Sequence, residues 1–311
     1  MRFGLLGTGP WAELAYGPAL RAHPDAELAG VWGRRPEAAA DIAGRFGGRP
    51  YDDVDALLED CDAVAVALPP DIQAPLAVRA AEAGRHLLLD KPVATTVPAA
   101  RAIADAAAAA GVASVVFFTL RFRPETAAWI EEQRRTGGWQ LGRADWLGGI
   151  FAEGAEPSPF AGSPWRREKG GLWDVGPHAL SMLLPVLGDV ADLDGSVAAV
   201  SGAGRTVQLA LRHAPGASST CALGLAVAPA ASVTRVELRG TAGAVELPDG
   251  ETDAVAALGN AVDALITSAR TGEPHPCDIR FGVRVTEILA AAQARLDGSR
   301  LDGARLTSGR D

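Results

Sequence analysis

Asp174 and His178 stand four residues apart in the stretch GGLWDVGPHAL. If Leu172 opens a helix, that spacing puts a carboxylate and an imidazole on one face. An imidazole titrates near about 6.5, so it can take or give a proton at neutral pH. The plainer reading makes His178 a satisfied core histidine and Asp174 a carboxylate at a helix start. Lys91 is the third candidate, set between Asp90 and Pro92 in LLLDKP at what reads as the end of a strand. Pro92 fixes the backbone after it, although a lysine in such a place also commonly reaches out to solvent. Its amine starts near about 10.4 and needs burial or a neighbouring positive charge to act as a base.

A second set of residues is suited to binding. GLLGTGPWA contains Gly7-x-Gly9-x-x-Ala12 directly after an apolar run. Small residues at this spacing let a pyrophosphate approach the backbone amides of a helix start, which points to a dinucleotide. About 20 residues on, an NAD-binding chain normally carries an acid that accepts from the ribose 2′-hydroxyl. Here the residues are Gly33-Arg34-Arg35. A guanidinium can instead make charge-assisted hydrogen bonds to a 2′-phosphate, each worth about 1.5–3 kcal/mol. Both arginines also read as solvated charges at the start of the next helix.

The elements that must position these residues alternate. RFGLLG, AELAGVWG, AVAVALPP, HLLLDKP and ASVVFFTL read as strands. Helices are expected near 11–22, 36–46, 54–59, 72–83 and 97–110. Such alternation predicts a doubly wound parallel sheet over residues 1–120. Over 121–311 one or two helices up to about Leu187 precede short alternating runs such as TVQLALRH and SVTRVELRG, with a last helical region over about 253–295. This predicts an α+β domain with a large, mainly antiparallel open sheet.

Composition sets the outer bounds. The 311 residues are 48% hydrophobic and 22% charged, enough to bury two cores. A net charge of −9 argues against nucleic-acid and anionic-membrane partners. Cys61, Cys221 and Cys277 lack metal-ligand spacing, so no metal site and reduced structural thiols in a cytoplasmic protein are expected. No signal peptide is read, and the apolar run 106–120 is too short to span a bilayer.

Taken together, GLLGTGPWA, ALPPDIQAPLAVRAAEAGRHLLLDKPVA and GGLWDVGPHAL resemble the glycine turn, the EKP block and the GGG.L.D.G.H block of the Gfo/Idh/MocA oxidoreductases. Asp90 replaces the usual glutamate, Gln73 stands where histidine is common, and Ser181 replaces the block's final aspartate. The resemblance implies hydride transfer between a nicotinamide and a sugar, sugar derivative or polyol in a cleft between the domains. It implies catalytic roles for Lys91, Asp174 and His178, with His178 as the acid or base. Cofactor contacts would fall to Gly7, Thr8, Gly9, Pro10 and Trp11, to Arg34 and Arg35, to Leu68 and Pro69, and to Asp90 and Lys91. NADP(H) is the expected cofactor, with NAD(H) the alternative. Arg121, Arg123, Trp165 and Arg166 would lie toward the substrate, or serve as packing and solvated charge. A dimer or tetramer is expected. The competing readings are a dinucleotide-binding sensor without activity and a reductase of a non-sugar carbonyl or dihydrodiol.

Overall fold

A computed structural model describes the backbone of residues 1–307 and the side chains of residues 1–298. The chain divides into two compact units, residues 1–124 with 250–286, and residues 125–249 with those from 287 onward. In the first, β1 (Arg2–Leu6) leads through a π-helical turn (Ala12–Tyr16) into α1 (Gly17–Ala22). There follow β2 (Glu27–Trp32), α2 (Pro36–Phe46), β3 (Arg49–Tyr51), α3 (Val54–Glu59) and β4 (Ala63–Val66). Then come α4 (Pro70–Glu82), β5 (His86–Asp90), α5 (Val97–Ala110) and β6 (Ser114–Phe117). The six strands are parallel in the order β3-β2-β1-β4-β5-β6, so the order reverses between β1 and β4. That is the doubly wound sheet expected from the alternation, and a ligand crevice belongs at its reversal point. The central strands are unbroken apolar runs because helices cover both faces; Leu87, Leu88 and Leu89 are wholly buried.

The second unit opens with α6 (Pro124–Thr136), β7 (Trp139–Leu147), α7 (Pro164–Asp174) and α8 (Gly176–Leu187). Strands β8 (Val197–Ser201), β9 (Val207–Arg212), β10 (Ser218–Gly224), β11 (Val233–Gly240) and β12 (Gly243–Glu246) complete it. Their order is β12-β11-β7-β10-β9-β8, and every pairing is antiparallel except β10 with β7. The open sheet is thus mainly antiparallel, as expected. The sequence texture, however, predicts only helices up to Leu187, whereas β7 lies in the middle of this sheet. Gly142, Ala144 and Trp146 share its inner face, and a Cβ on Gly142 would meet Leu187 Cδ1 at 2.6 Å. Small residues and the Arg143–Asp145 pair on the other face (2.9 Å) hide a strand that periodicity reads poorly.

Residues 250–286 complete the first unit. Helix α9 (Ala254–Thr271) is capped by Asp253, whose Oδ1 accepts from the amides of Val255 and Ala256. Asn260 donates to the Phe122 carbonyl (2.8 Å), and the Cys277 carbonyl accepts from Val116 N–H (2.7 Å). The edge of β6 is thereby covered. The segment continues into α10 (Ile279–Thr307), whose Ile279 amide donates to Ser114 Oγ.

Cys61, Cys221 and Cys277 are free and buried, and burial pushes their thiols up to about 11, about 12 and about 11. Among the described residues no helix is long and apolar enough to cross a membrane, and no group of His, Cys, Asp and Glu is placed to hold a metal ion.

Burial also lowers the pKa of His86, His213 and His275. His213 is the clearest case, with Nδ1 2.7 Å from the Gly188 carbonyl and Nε2 2.8 Å from Ser219 Oγ. The unfolded chain takes up protons at these sites near about pH 6.5 while the folded chain resists. Their stabilisation is therefore present above that pH and falls as pH drops toward the lowered folded values. Thermal melts should show a lower Tm at pH 5.5 than at pH 7.5, with the gap narrowed by His213→Gln. A Tm that rises on acidification contradicts this.

Candidate functional site

The site in the first unit is built on strand ends. Gly7 leaves β1 with φ +125°, and its N–H donates to the Trp32 carbonyl (2.9 Å) at the end of β2. A Cβ on Gly7 would lie 2.4 Å from the Ala67 carbonyl at the end of β4, with Leu68 also against it. Only glycine meets both demands. Gly9 is different: a Cβ there would meet nothing within 4 Å. Its backbone therefore borders open space at a helix start, the arrangement a pyrophosphate needs. Thr8 packs against Gly33, where a Cβ would come within 2.6 Å of Thr8 Cγ2. This contact sets the β2 end beside the turn.

Arg34 and Arg35 follow Gly33, and both are exposed. Arginines nearby are tied to acids, Arg45 to Glu13 (2.6 Å) and Arg2 to Asp60 (2.9 Å). Among the described residues neither the Arg34 nor the Arg35 guanidinium is matched with a carboxylate. Pro10 is exposed, and Trp11 packs on Phe117, with ring centroids 6.5 Å apart. Tyr16 meets Phe117 edge-on at 6.1 Å. Burial, with the charge of Asp90, pushes the Tyr16 hydroxyl pKa well up. The turn and the β5–β6 end are thus joined by aromatic contacts. Leu68 and Pro69 lead into α4, whose Gln73 is buried against the segment carrying Lys91.

Lys91 is half-buried, and its amide donates to Asp90 Oδ1 (2.9 Å). The Lys91–Pro92 bond is cis. Arg121 lies over the Phe281 ring (5.9 Å), and Arg123 donates to the Gly250 carbonyl (3.2 Å). All the candidates of the first unit therefore gather at the carboxyl ends of its strands.

In the second unit no one helix runs from Leu172 through both Asp174 and His178, so the condition for a shared helix face is not met. Helix α7 ends at Asp174, and α8 begins at Gly176. Pro177 has no N–H to continue the ladder. Gly170, with φ 67° and ψ −162°, interrupts α7 itself. Gly171 lets the helix backbone lie directly on β10, since a Cβ there would meet Gly224 N at 2.7 Å. Asp174 is buried and its Oδ1 accepts from Arg166 Nε (3.2 Å). The Arg166 guanidinium rests over Trp165 (4.7 Å) and Phe160 (5.1 Å). So Trp165, Arg166 and Asp174 form one cluster.

His178 stacks on Trp146, with centroids 5.1 Å apart and planes 12° from parallel. From Gly171 to Leu184 it alone retains partial exposure. That observation separates it from a core histidine. Ser181, by contrast, is buried and donates to the His178 carbonyl (2.7 Å), so its hydroxyl serves the helix backbone. Sequence reasoning missed Trp146, which sits on the unrecognised strand, and the contacts of Gln73.

The strand order and its reversal point define a Rossmann-type fold for the first unit. Residues 1–118 match the family model GFO_IDH_MocA, described as an oxidoreductase family with an NAD-binding Rossmann fold. The match lies within the first unit, which is similar to that family over these residues. It is 30% identical over 138 residues to levoglucosan dehydrogenase of Pseudarthrobacter phenanthrenivorans, covering 42% of this chain and 34% of the relative. With dTDP-3,4-didehydro-2,6-dideoxy-alpha-D-glucose 3-reductase of Streptomyces antibioticus it shares 29% identity over 201 residues, 63% of this chain and 60% of the relative. The chain thus spans a third to three-fifths of these relatives. The fold is similar to that of the WlbA dehydrogenase from Bordetella pertussis, solved with NADH and UDP-GlcNAcA (TM-score 0.80, 22% identity, 96% of each chain). Relatives named for NADP(+) and for NAD(+) both occur.

The two glycines of the turn separate stability from binding. Gly7→Ala should lower Tm by more than about 5 °C, because the new methyl meets a carbonyl in a left-handed backbone. Gly9→Leu should leave Tm within about 2 °C and weaken NADPH binding at least about tenfold in a fluorescence titration. Unchanged NADPH affinity in Gly9→Leu contradicts the reading of the open space.

Proposed function

We propose that this chain is an NADP(H)-preferring oxidoreductase acting between a secondary alcohol and a ketone of a sugar, sugar derivative or polyol. The observation that carries the cofactor preference is the Gly33–Thr8 contact. It brings Arg34 and Arg35, unmatched by any described carboxylate, to the side of the glycine turn. Gly7, Thr8, Gly9, Pro10 and Trp11 would hold the pyrophosphate, and Leu68 and Pro69 would border the nicotinamide side. Arg34 would take the 2′-phosphate, while Arg35 would lie toward the adenine face. When bound, the cofactor supplies or receives the hydride.

The proton path belongs to the protein. His178, held flat against Trp146 and partly exposed among buried neighbours, takes the hydroxyl proton during oxidation or returns it during reduction at one ring nitrogen. Lys91, through Nζ, stabilises negative charge on the reacting oxygen. Asp174 accepts from a substrate hydroxyl, with its carboxylate oriented by Arg166. Trp165 stays a substrate-side candidate, since aromatic faces suit sugar rings. Arg121 and Arg123 are packed within the first unit and are assigned no chemistry. The named sugar-acting relatives support the substrate class.

Two measurements test this reading. Arg34→Ala should weaken NADPH binding about tenfold or more and leave NADH binding within about twofold. Equal affinity of the wild type for both cofactors overturns the preference. His178→Ala and Lys91→Ala should each lower turnover at least about a hundredfold while NADPH still binds. Turnover near wild type in both overturns the assignment.

A further inference from the structure

Gln73 lies on α4 and has no solvent exposure. A buried carboxamide must place both its oxygen and its two N–H groups. Gln73 does so on one short stretch. Its Nε2 donates to the carbonyl of Asp90 (2.8 Å), with the carbonyls of Val93 (3.2 Å) and Pro92 (3.3 Å) sharing the remaining hydrogen. Its Oε1 accepts from the Asp90 N–H (2.9 Å).

This stretch needs an outside partner. The pairing of β5 with β4 ends at Leu89 and that with β6 ends at Asp90, so the following backbone leaves the sheet. Pro92 brings no donor of its own. Lys91 is the residue in the middle, and its own amide is held by the Asp90 carboxylate. One side chain from another element therefore fixes the peptide groups on both sides of the lysine.

We propose that Gln73 is the positioning residue for Lys91. It sets the backbone of Asp90–Val93 so that the ammonium group is delivered to the same place in every turnover. The role rests on the reading of Lys91 given above. A carboxamide is neutral throughout the working pH range, so this support does not change with proton uptake. An imidazole at the same place offers one donor and one acceptor, and protonation turns the acceptor into a donor facing the Asp90 N–H.

The test uses the full-length protein, Gln73→Met to keep volume without hydrogen bonds, and Gln73→His to restore two of them. Hydrogen exchange followed by mass spectrometry reads the segment directly. In Gln73→Met, peptides containing residues 90–93 should exchange at least about tenfold faster while β4 and α5 keep wild-type rates. Unchanged exchange at 90–93 overturns the proposal. Turnover is followed as NADPH formation from NADP+ with levoglucosan, D-xylose and scyllo-inositol as probes. A displaced reacting group costs up to about a hundredfold, so Gln73→Met should lose about ten- to a hundredfold in kcat with NADPH affinity within about threefold. Gln73→His should recover to within about threefold of wild type at pH 8 and lose that recovery at pH 6, measured against wild type at the same pH. In a Lys91→Ala background, Gln73→Met should change turnover by less than about twofold. Losses that multiply in the double variant, or a Gln73→His variant whose ratio to wild type ignores pH, overturn the link to Lys91. If the wild type turns over none of the probes, the substrate reading is what fails, and the exchange rates still decide whether Gln73 holds the segment.

Discussion

The approach of the Gly7 backbone to the Ala67 carbonyl is the constraint on which the candidate cofactor site depends. It pulls the end of β1 onto the end of β4, and the Gly7 N–H binds the end of β2 in the same turn. Three strand ends are fixed by one residue without a side chain. Everything that follows is arranged from that point: the open backbone at Gly9, the Thr8–Gly33 contact, and the arginines beyond it. The aromatic contacts of Trp11 and Tyr16 with Phe117 extend the same arrangement to the strands next to Lys91. Hydrophobic burial stabilises the sheet, but close backbone packing decides where its polar groups point.

The second unit solves a related problem by other means. Gly171 brings α7 onto the backbone of β10, and Gly142 on β7 admits Leu187 of α8. Pro177 then ends one helix and starts another within two residues of Asp174. The consequence is a division of partners. The carboxylate turns to Arg166, and the imidazole turns to Trp146, so each is oriented by its own neighbour. Fixing a ring by stacking and a carboxylate by a guanidinium limits the motion of both groups before any ligand arrives.

Much of the first unit was legible because its signals are local. A strand, a glycine turn and a helix follow one another in sequence, and the apolar runs of β4, β5 and β6 are unbroken. The Gly33-Arg34-Arg35 sequence announced the missing acid for the same reason. What could not be read depends on distant parts of the chain. Strand β7 carries Gly142 and the Arg143–Asp145 pair, which make sense only against α8 and the neighbouring strands. Gln73 stood out merely as an unusual residue; its four contacts lie 17 to 20 positions away. The four-residue spacing of Asp174 and His178 suggested a shared face, whereas the helix breaks between them ahead of Pro177. Ser181 shows how a change of residue type can be absorbed by the helix itself.

The covering of β6 by residues near Cys277 has a consequence for biosynthesis. The first unit draws on residues 250–286, which follow all the strands of the second unit. During translation residues 1–124 emerge before this segment, so the donor at Val116 and the Ser114 hydroxyl wait for Cys277 and Ile279 to arrive. Domains generally mature in order as the ribosome moves along. In this chain the unit that begins first cannot close until the intervening sheet has been synthesised. An exposed parallel-sheet edge is therefore a feature of the nascent protein, and the segment that seals it is made only after every strand of the second sheet.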